Sequence, residues 1–161
     1  MESRGISAYW PLLCLVAIAA LGASAIFWSL GIFYREWMHL FMGLFLSQFA
    51  MLKLFDIRGF ADGFQMYDLL AKRMRAYALI YPFVELALGL LYLSFIAPVV
   101  TYVLTIVVMT IGTIGVFVAL ARGLNVRCAC MGTTLNVPLS TVTVVEDVGM
   151  GLMALAMLLT L

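Results

Sequence analysis

Five stretches of this sequence stay apolar for about as long as a helix needs to cross a bilayer, and that property alone excludes most folds. They fall at residues 11–33, 38–55, 76–96, 98–121 and 141–161. A helix rises 1.5 Å per residue, so about 20 apolar residues match a hydrocarbon layer roughly 30 Å thick. No alternating strand pattern competes. Inside lipid each backbone amide and carbonyl must be satisfied within its own segment, which selects helices. The composition agrees: 66% of residues are hydrophobic and 11% charged, whereas a soluble domain carries roughly 25% charged residues. The expected fold class is therefore all-α, a polytopic transmembrane helix bundle of five spans in a single domain, 1–161. The lipid bilayer is the first partner, and a net charge of +1 argues against nucleic acid.

The first run is flanked by Tyr9 and Trp10 on one side and by Tyr34 and Trp37 on the other, as in an interfacial aromatic belt. Arg4, an apolar run and "ASA" at Ala23 to Ala25 mimic a cleavable signal, but the run continues to Tyr34, so a retained helix is expected. Within it Ala19 with Ala23, and Ala20 with Ser24, stand four apart, a pattern that lets a neighbouring helix approach closely inside a bundle. Between the second and third runs, Phe60, Phe64, Tyr67, Leu70 and Met74 recur every three or four residues. That spacing predicts an interfacial amphipathic helix over 58–75, its aromatic face in lipid and Lys72, Arg73 and Arg75 near phosphates.

Five spans would put Arg4, Lys53, Arg58, Lys72, Arg73, Arg75, Arg122 and Arg127 on one side and Arg35 alone on the other. The positive-inside rule then places the N-terminus and the loop at 122–140 in the cytoplasm and the C-terminus outside, in a bacterial inner membrane.

The polar residues that break these runs carry the chemistry. Cys128 and Cys130 are separated only by Ala129. Such a pair can close a small, strained and easily reduced disulfide. It can equally clamp a soft ion such as Cu(I), Zn(II) or Hg(II). Arg127 favours the thiolate, and Gly132 permits a sharp turn. Cys14 lies one turn into the first helix, where it is either a small hydrophobe, a resolving thiol or a third metal ligand. Met131 is a further soft donor.

Glu146 and Asp147 fall in the first turns of the last helix, behind Ser140 or Thr141 as a cap. There they complement the helix dipole, or else relay protons for the thiols or complete a metal site. Adjacent positions project about 100° apart, so only one needs to face the bundle interior. Glu85 is set deep in its run, with Pro82 just before it, and an ionisable group at that depth needs a partner or a proton. Lys53 is the candidate partner if the helices are antiparallel neighbours, and Gln48, Tyr81, Tyr92 and Thr105 are candidate donors. Thr101, Thr105, Gly112 and Gly115 form a face suited to helix contact. His39 belongs to the opposite end from the thiols.

From about Met42 onward the arrangement resembles the MauE/DoxX family of redox-associated membrane proteins. The resemblance lies in "LSQFAMLKLFD", the amphipathic loop, "YPFVELALGLLYL" from Tyr81, "CACMG", and "PLSTVTVVEDVGM" leading into the last helix. It implies a four-helix DoxX-like core, to which the first helix is an addition. One branch of the family is linked to methylamine utilisation, where it supports disulfide formation in a partner enzyme. Other members occur beside or fused to thioredoxin-like, glutaredoxin-like or heavy-metal-associated domains. The resemblance carries over Cys128 and Cys130 as a redox or metal pair, Lys53 and Glu85 as polar positions, and Glu146 with Asp147 at the last helix.

The expected function is thus thiol–disulfide or electron exchange with a thioredoxin- or glutaredoxin-like partner. If the loop is cytoplasmic, cellular reductants keep the pair reduced at rest, which favours a reductant relay or a thiol sensor. The rivals are binding or transport of a soft metal through Cys128, Cys130 and Cys14, and a non-catalytic subunit of a homo-oligomer or larger membrane complex. No quinone, haem or nucleotide motif is readable.

Overall fold

The computed structural model describes residues 10–31, 33–122 and 139–160, with backbone alone at 139–143. The described residues are helical throughout apart from short turns and contain no strand. The elements are α1 (Trp10–Leu30), α2 (Tyr34–Phe55), α3 (Ile57–Phe64), α4 (Arg75–Ser94), α5 (Pro98–Ala121) and α6 (Leu139–Leu159). Among them α1, α2, α4 and α5 are long and apolar enough to cross a membrane. At 21 residues, α6 matches them in length.

Two antiparallel pairs make the bundle, α2 against α4 and α5 against α6, and α4 and α5 also touch. The first pair crosses where neither helix has a side chain. A Cβ added to Gly43 would sit 2.9 Å from the Gly89 carbonyl oxygen, and one added to Gly89 would sit 3.1 Å from that of Gly43. The second pair meets at Gly112 of α5, whose missing Cβ leaves room for the Asp147 carboxylate. Thr101, Thr105, Gly112 and Gly115 are all in contact positions on the inner face of α5, as a helix-contact face requires.

α1 lies along α2. Ala19 and Ala23 are fully buried there, so the small-residue stripe does serve close approach. The helix is nevertheless peripheral, since much less of it is buried than of α2. Leu21, Trp28 and Leu30 stay exposed, which suits a face turned to lipid.

The amphipathic segment differs from its expectation in two ways. Its helix is only Ile57–Phe64, started by the Asp56 side chain, which accepts the Gly59 amide at 3.0 Å. Beyond it, Asp68 Oδ1 accepts the amides of Leu70 at 2.9 Å and Ala71 at 2.8 Å. An aspartate that captures nearby amides offers the backbone a turn in place of a helix. The aromatic face also points inward. Phe60, Phe64 and Tyr67 are buried, with Phe64 4.7 Å and Phe60 6.0 Å from the Tyr81 ring, while Leu70 and Met74 are exposed. Stacking on the aromatic stretch of α4 buries these rings better than the headgroup region would.

Candidate functional site

Lys53 lies in the last turn of α2, and α4 runs antiparallel beside it. That register brings Lys53 Nζ to 2.5 Å from Glu85 Oε2. α6 adds Glu146, whose Oε1 lies 3.1 Å from the same nitrogen. One ammonium is thus held between two carboxyl groups, on three different helices. Lys53 is 1% exposed, Glu85 0% and Glu146 2%. α4 passes through Pro82 without a break, so Glu85 is presented from a continuous helix.

Aromatic rings complete the surroundings of the ammonium. Its nitrogen is 5.8 Å from the Phe49 centroid, 5.7 Å from Phe60 and 5.4 Å from Tyr81. At these distances each ring face attracts a cation, and more so away from water. The inward turn of α3 therefore has a purpose at the site, since Phe60 closes it from the end of the bundle.

The two adjacent acids of α6 are both inside. Asp147 is 4% exposed and sits against α5, its Oδ2 2.6 Å from where a Gly112 Cβ would be. Their burial and the start of α6 at Leu139 correct the dipole reading. Glu146 is seven residues in, about two turns, and no acid stands in the first turn. The helix dipole acts only within the terminal turn, so these carboxylates are held by tertiary partners.

Asp68 is a fourth buried acid at this end, beside Glu85, Glu146 and Asp147. The loop that carries it docks on Gly115 of α5, whose Cβ would lie 3.1 Å from the Asp68 Cα and from the Tyr67 carbonyl oxygen. Burial raises the Asp68 carboxyl above its ordinary range, against the Ala71 and Leu70 amides and Lys72, which lower it. A carboxyl raised by folding contributes stability below its unfolded value, and that contribution is lost as pH rises through the folded value. Asp68→Asn keeps an acceptor for both amides and does not ionise. Its melting temperature is therefore expected to gain on the wild type as pH rises from about 4 to neutrality. Parallel thermal melts in detergent measure this, and a constant difference would refute it.

Of the other donors considered for Glu85, Thr105 donates to the Thr101 carbonyl at 2.8 Å, and Gln48 is half-buried with no partner for its Oε1 among the described residues. Tyr92 belongs to a second cluster at the opposite end of the bundle. There His39 Nδ1 lies 3.3 Å from the Tyr92 carbonyl and Nε2 2.5 Å from the Tyr102 hydroxyl. A carbonyl can only accept, so the neutral ring carries its proton on Nδ1 and takes the Tyr102 hydroxyl at Nε2. The Phe95 ring is 4.8 Å away, and Phe95 and Ala97 have φ of 56° and 46°. The cluster thus ties α2 to the strained turn between α4 and α5. Sequence reasoning set His39 apart from the thiols but missed this role. The signal was a histidine in an apolar run at the same end as that turn.

Cys14 is a free, half-buried thiol near the start of α1. Cys128 and Cys130 lie outside the described residues. The segment bearing them joins the end of α5 to the start of α6, the end of the bundle that also holds Lys53, Asp68 and the start of α4. Among the described residues no group of three or more His, Cys, Asp or Glu could hold a metal ion.

A family model described as methylamine utilisation protein MauE matches residues 33–160. This chain belongs to the MauE family. The match takes in α2 to α6, with the whole acid–lysine site and the cysteine loop, and leaves α1 outside. No curated protein and no solved structure matches the chain. The protein is thus an all-α membrane protein of a family named for methylamine utilisation.

Proposed function

We propose that this MauE-family protein exchanges disulfides with a thioredoxin- or glutaredoxin-like protein through Cys128 and Cys130. In the reduced form one thiolate attacks a sulfur of the partner's disulfide, forming a mixed disulfide and releasing a partner thiolate. The second cysteine then attacks the mixed disulfide, closing Cys128–Cys130 and freeing the partner's second thiolate. Two electrons pass to the partner, and the two thiol protons end on its sulfurs; the reverse reaction follows the same path.

The observation that carries this reading is the burial of both Glu146 and Asp147 in the helix that follows the cysteine loop. Carboxyl groups can accept and return the protons that thiol exchange releases, and these two belong to the helix that follows the thiol pair in the sequence. The lipid bilayer holds the bundle, and the cationic residues gather at the end to which the loop is tied: Lys53, Arg58, Lys72, Arg73, Arg75 and Arg122. That asymmetry supports a cytoplasmic cysteine loop in an inner membrane, with α6 as a fifth span leading outward.

Single serine variants test it. Cys130→Ser or Cys128→Ser, purified and mixed with an oxidised thioredoxin-like protein, is expected to accumulate a covalent mixed disulfide, visible on a non-reducing gel. The double variant gives none. Absence of the adduct from both single variants overturns the proposal. If the wild type then binds Cu(I), Zn(II) or Hg(II) and both variants lose it, metal capture replaces thiol exchange.

A further inference from the structure

The triad of Lys53, Glu85 and Glu146 has an unequal charge count. It contains one cation and two acids, both acids within hydrogen-bonding distance of the lysine nitrogen and all three withdrawn from solvent. Fully ionised, it would carry one uncompensated negative charge inside an apolar bundle, where such a charge is strongly disfavoured.

The surroundings supply no second cation among the described residues. α2 faces the site with Phe49 besides Lys53, α3 with Phe60, and α4 with Tyr81 besides Glu85. Asp147 on α6 turns to α5, and Asp56 is turned to the Gly59 amide. Arg58 is exposed, and Arg75, also exposed, binds Asp62 at 2.7 Å.

The oxygens point the same way. Glu85 Oε1 and Glu146 Oε2 are buried with no hydrogen-bond partner among the described residues. The two carboxyl groups also converge on one nitrogen, Glu85 Oε2 at 2.5 Å and Glu146 Oε1 at 3.1 Å, which sets them side by side. Two ionised carboxylates so placed can only accept and would repel. A proton on either converts that contact into a donated hydrogen bond, as in other carboxyl pairs that share one proton.

We infer that Glu85 and Glu146 share a single proton, so that with Lys53 they form a neutral proton-binding site inside the bundle. The site gains or loses one unit of charge when that proton moves, and it titrates as a pair. The inference rests on burial and charge count and holds whether or not the cysteines exchange disulfides.

Infrared spectroscopy of the protein in lipid nanodiscs, with isotope-labelled glutamate to separate it from Asp68 and Asp147, tests this at neutral pH. The wild type is expected to show a protonated glutamate band equal to one carboxyl group. Glu85→Gln and Glu146→Gln should each abolish it, because the remaining glutamate then balances Lys53 alone. Lys53→Met should double it. Absence of the band from the wild type overturns the inference without any variant having to fold. Persistence of the band in either glutamine variant overturns it as well.

Discussion

Lys53→Met is expected to be the most damaging single substitution in the membrane bundle. It leaves Glu85 and Glu146 facing each other in an apolar interior with no counter-charge. Removing one partner of a buried ionic group costs about 3–5 kcal/mol, most of it the penalty of the charge left behind. The cost arises whether the glutamates stay ionised or draw protons from water at neutral pH. A sharper expectation follows from the same cause. Combining Lys53→Met with Glu85→Gln and Glu146→Gln should recover most of the lost stability, because it removes the charges that Lys53 offset. Thermal unfolding of the detergent-purified variants measures both. A triple variant no more stable than Lys53→Met alone would mean that the lysine acts by packing against Phe49, Phe60 and Tyr81 and not by its charge.

The second large effect is expected at the α2–α4 crossing. In Gly89→Val the new Cβ would lie 2.6 Å from Ser47 Oγ, 3.0 Å from the Ser47 backbone nitrogen and 3.1 Å from the Gly43 carbonyl oxygen. Two of these are backbone atoms, which move only if the helices separate. Overpacking of this kind costs roughly 1–3 kcal/mol, and separation would also draw Glu85, one turn away, from Lys53. Gly112→Ala provides the contrast. Its Cβ would meet Asp147 Oδ2 at 2.6 Å, the far end of a side chain that can rotate. The melting temperature should therefore fall much further for Gly89→Val than for Gly112→Ala, and equal losses would argue against a backbone-limited crossing.

The legibility of this site varied by residue for physical reasons. Lys53 and Glu85 stood out because a charge in an apolar run must be compensated, and two opposite charges in antiparallel neighbours had an evident solution. Glu146 was visible as an acid in an apolar run, but its partner was not, because the angle at which α6 meets α2 and α4 is not written in its own run. Adjacent acids about 100° apart required only one of the two to face inward. The structure buries both, since α6 has α5 on one side and Lys53 on the other. The aromatic residues of α3 read correctly as one face, yet a face does not say whether lipid or protein covers it. His39 gave no sign of its partners, which lie 53 and 63 residues away in the sequence.

By itself, the sequence determined the properties that belong to a single segment. Span length, helical state and the need to neutralise each intramembrane charge depend on local hydropathy and on the absence of water to solvate the backbone. Only the tertiary structure decided which groups meet: the second carboxyl on Lys53, the inward turn of Phe60, and the glycine contact that lets α2 and α4 approach. Those depend on crossing angles and register, and they arise from close packing between helices distant in the chain.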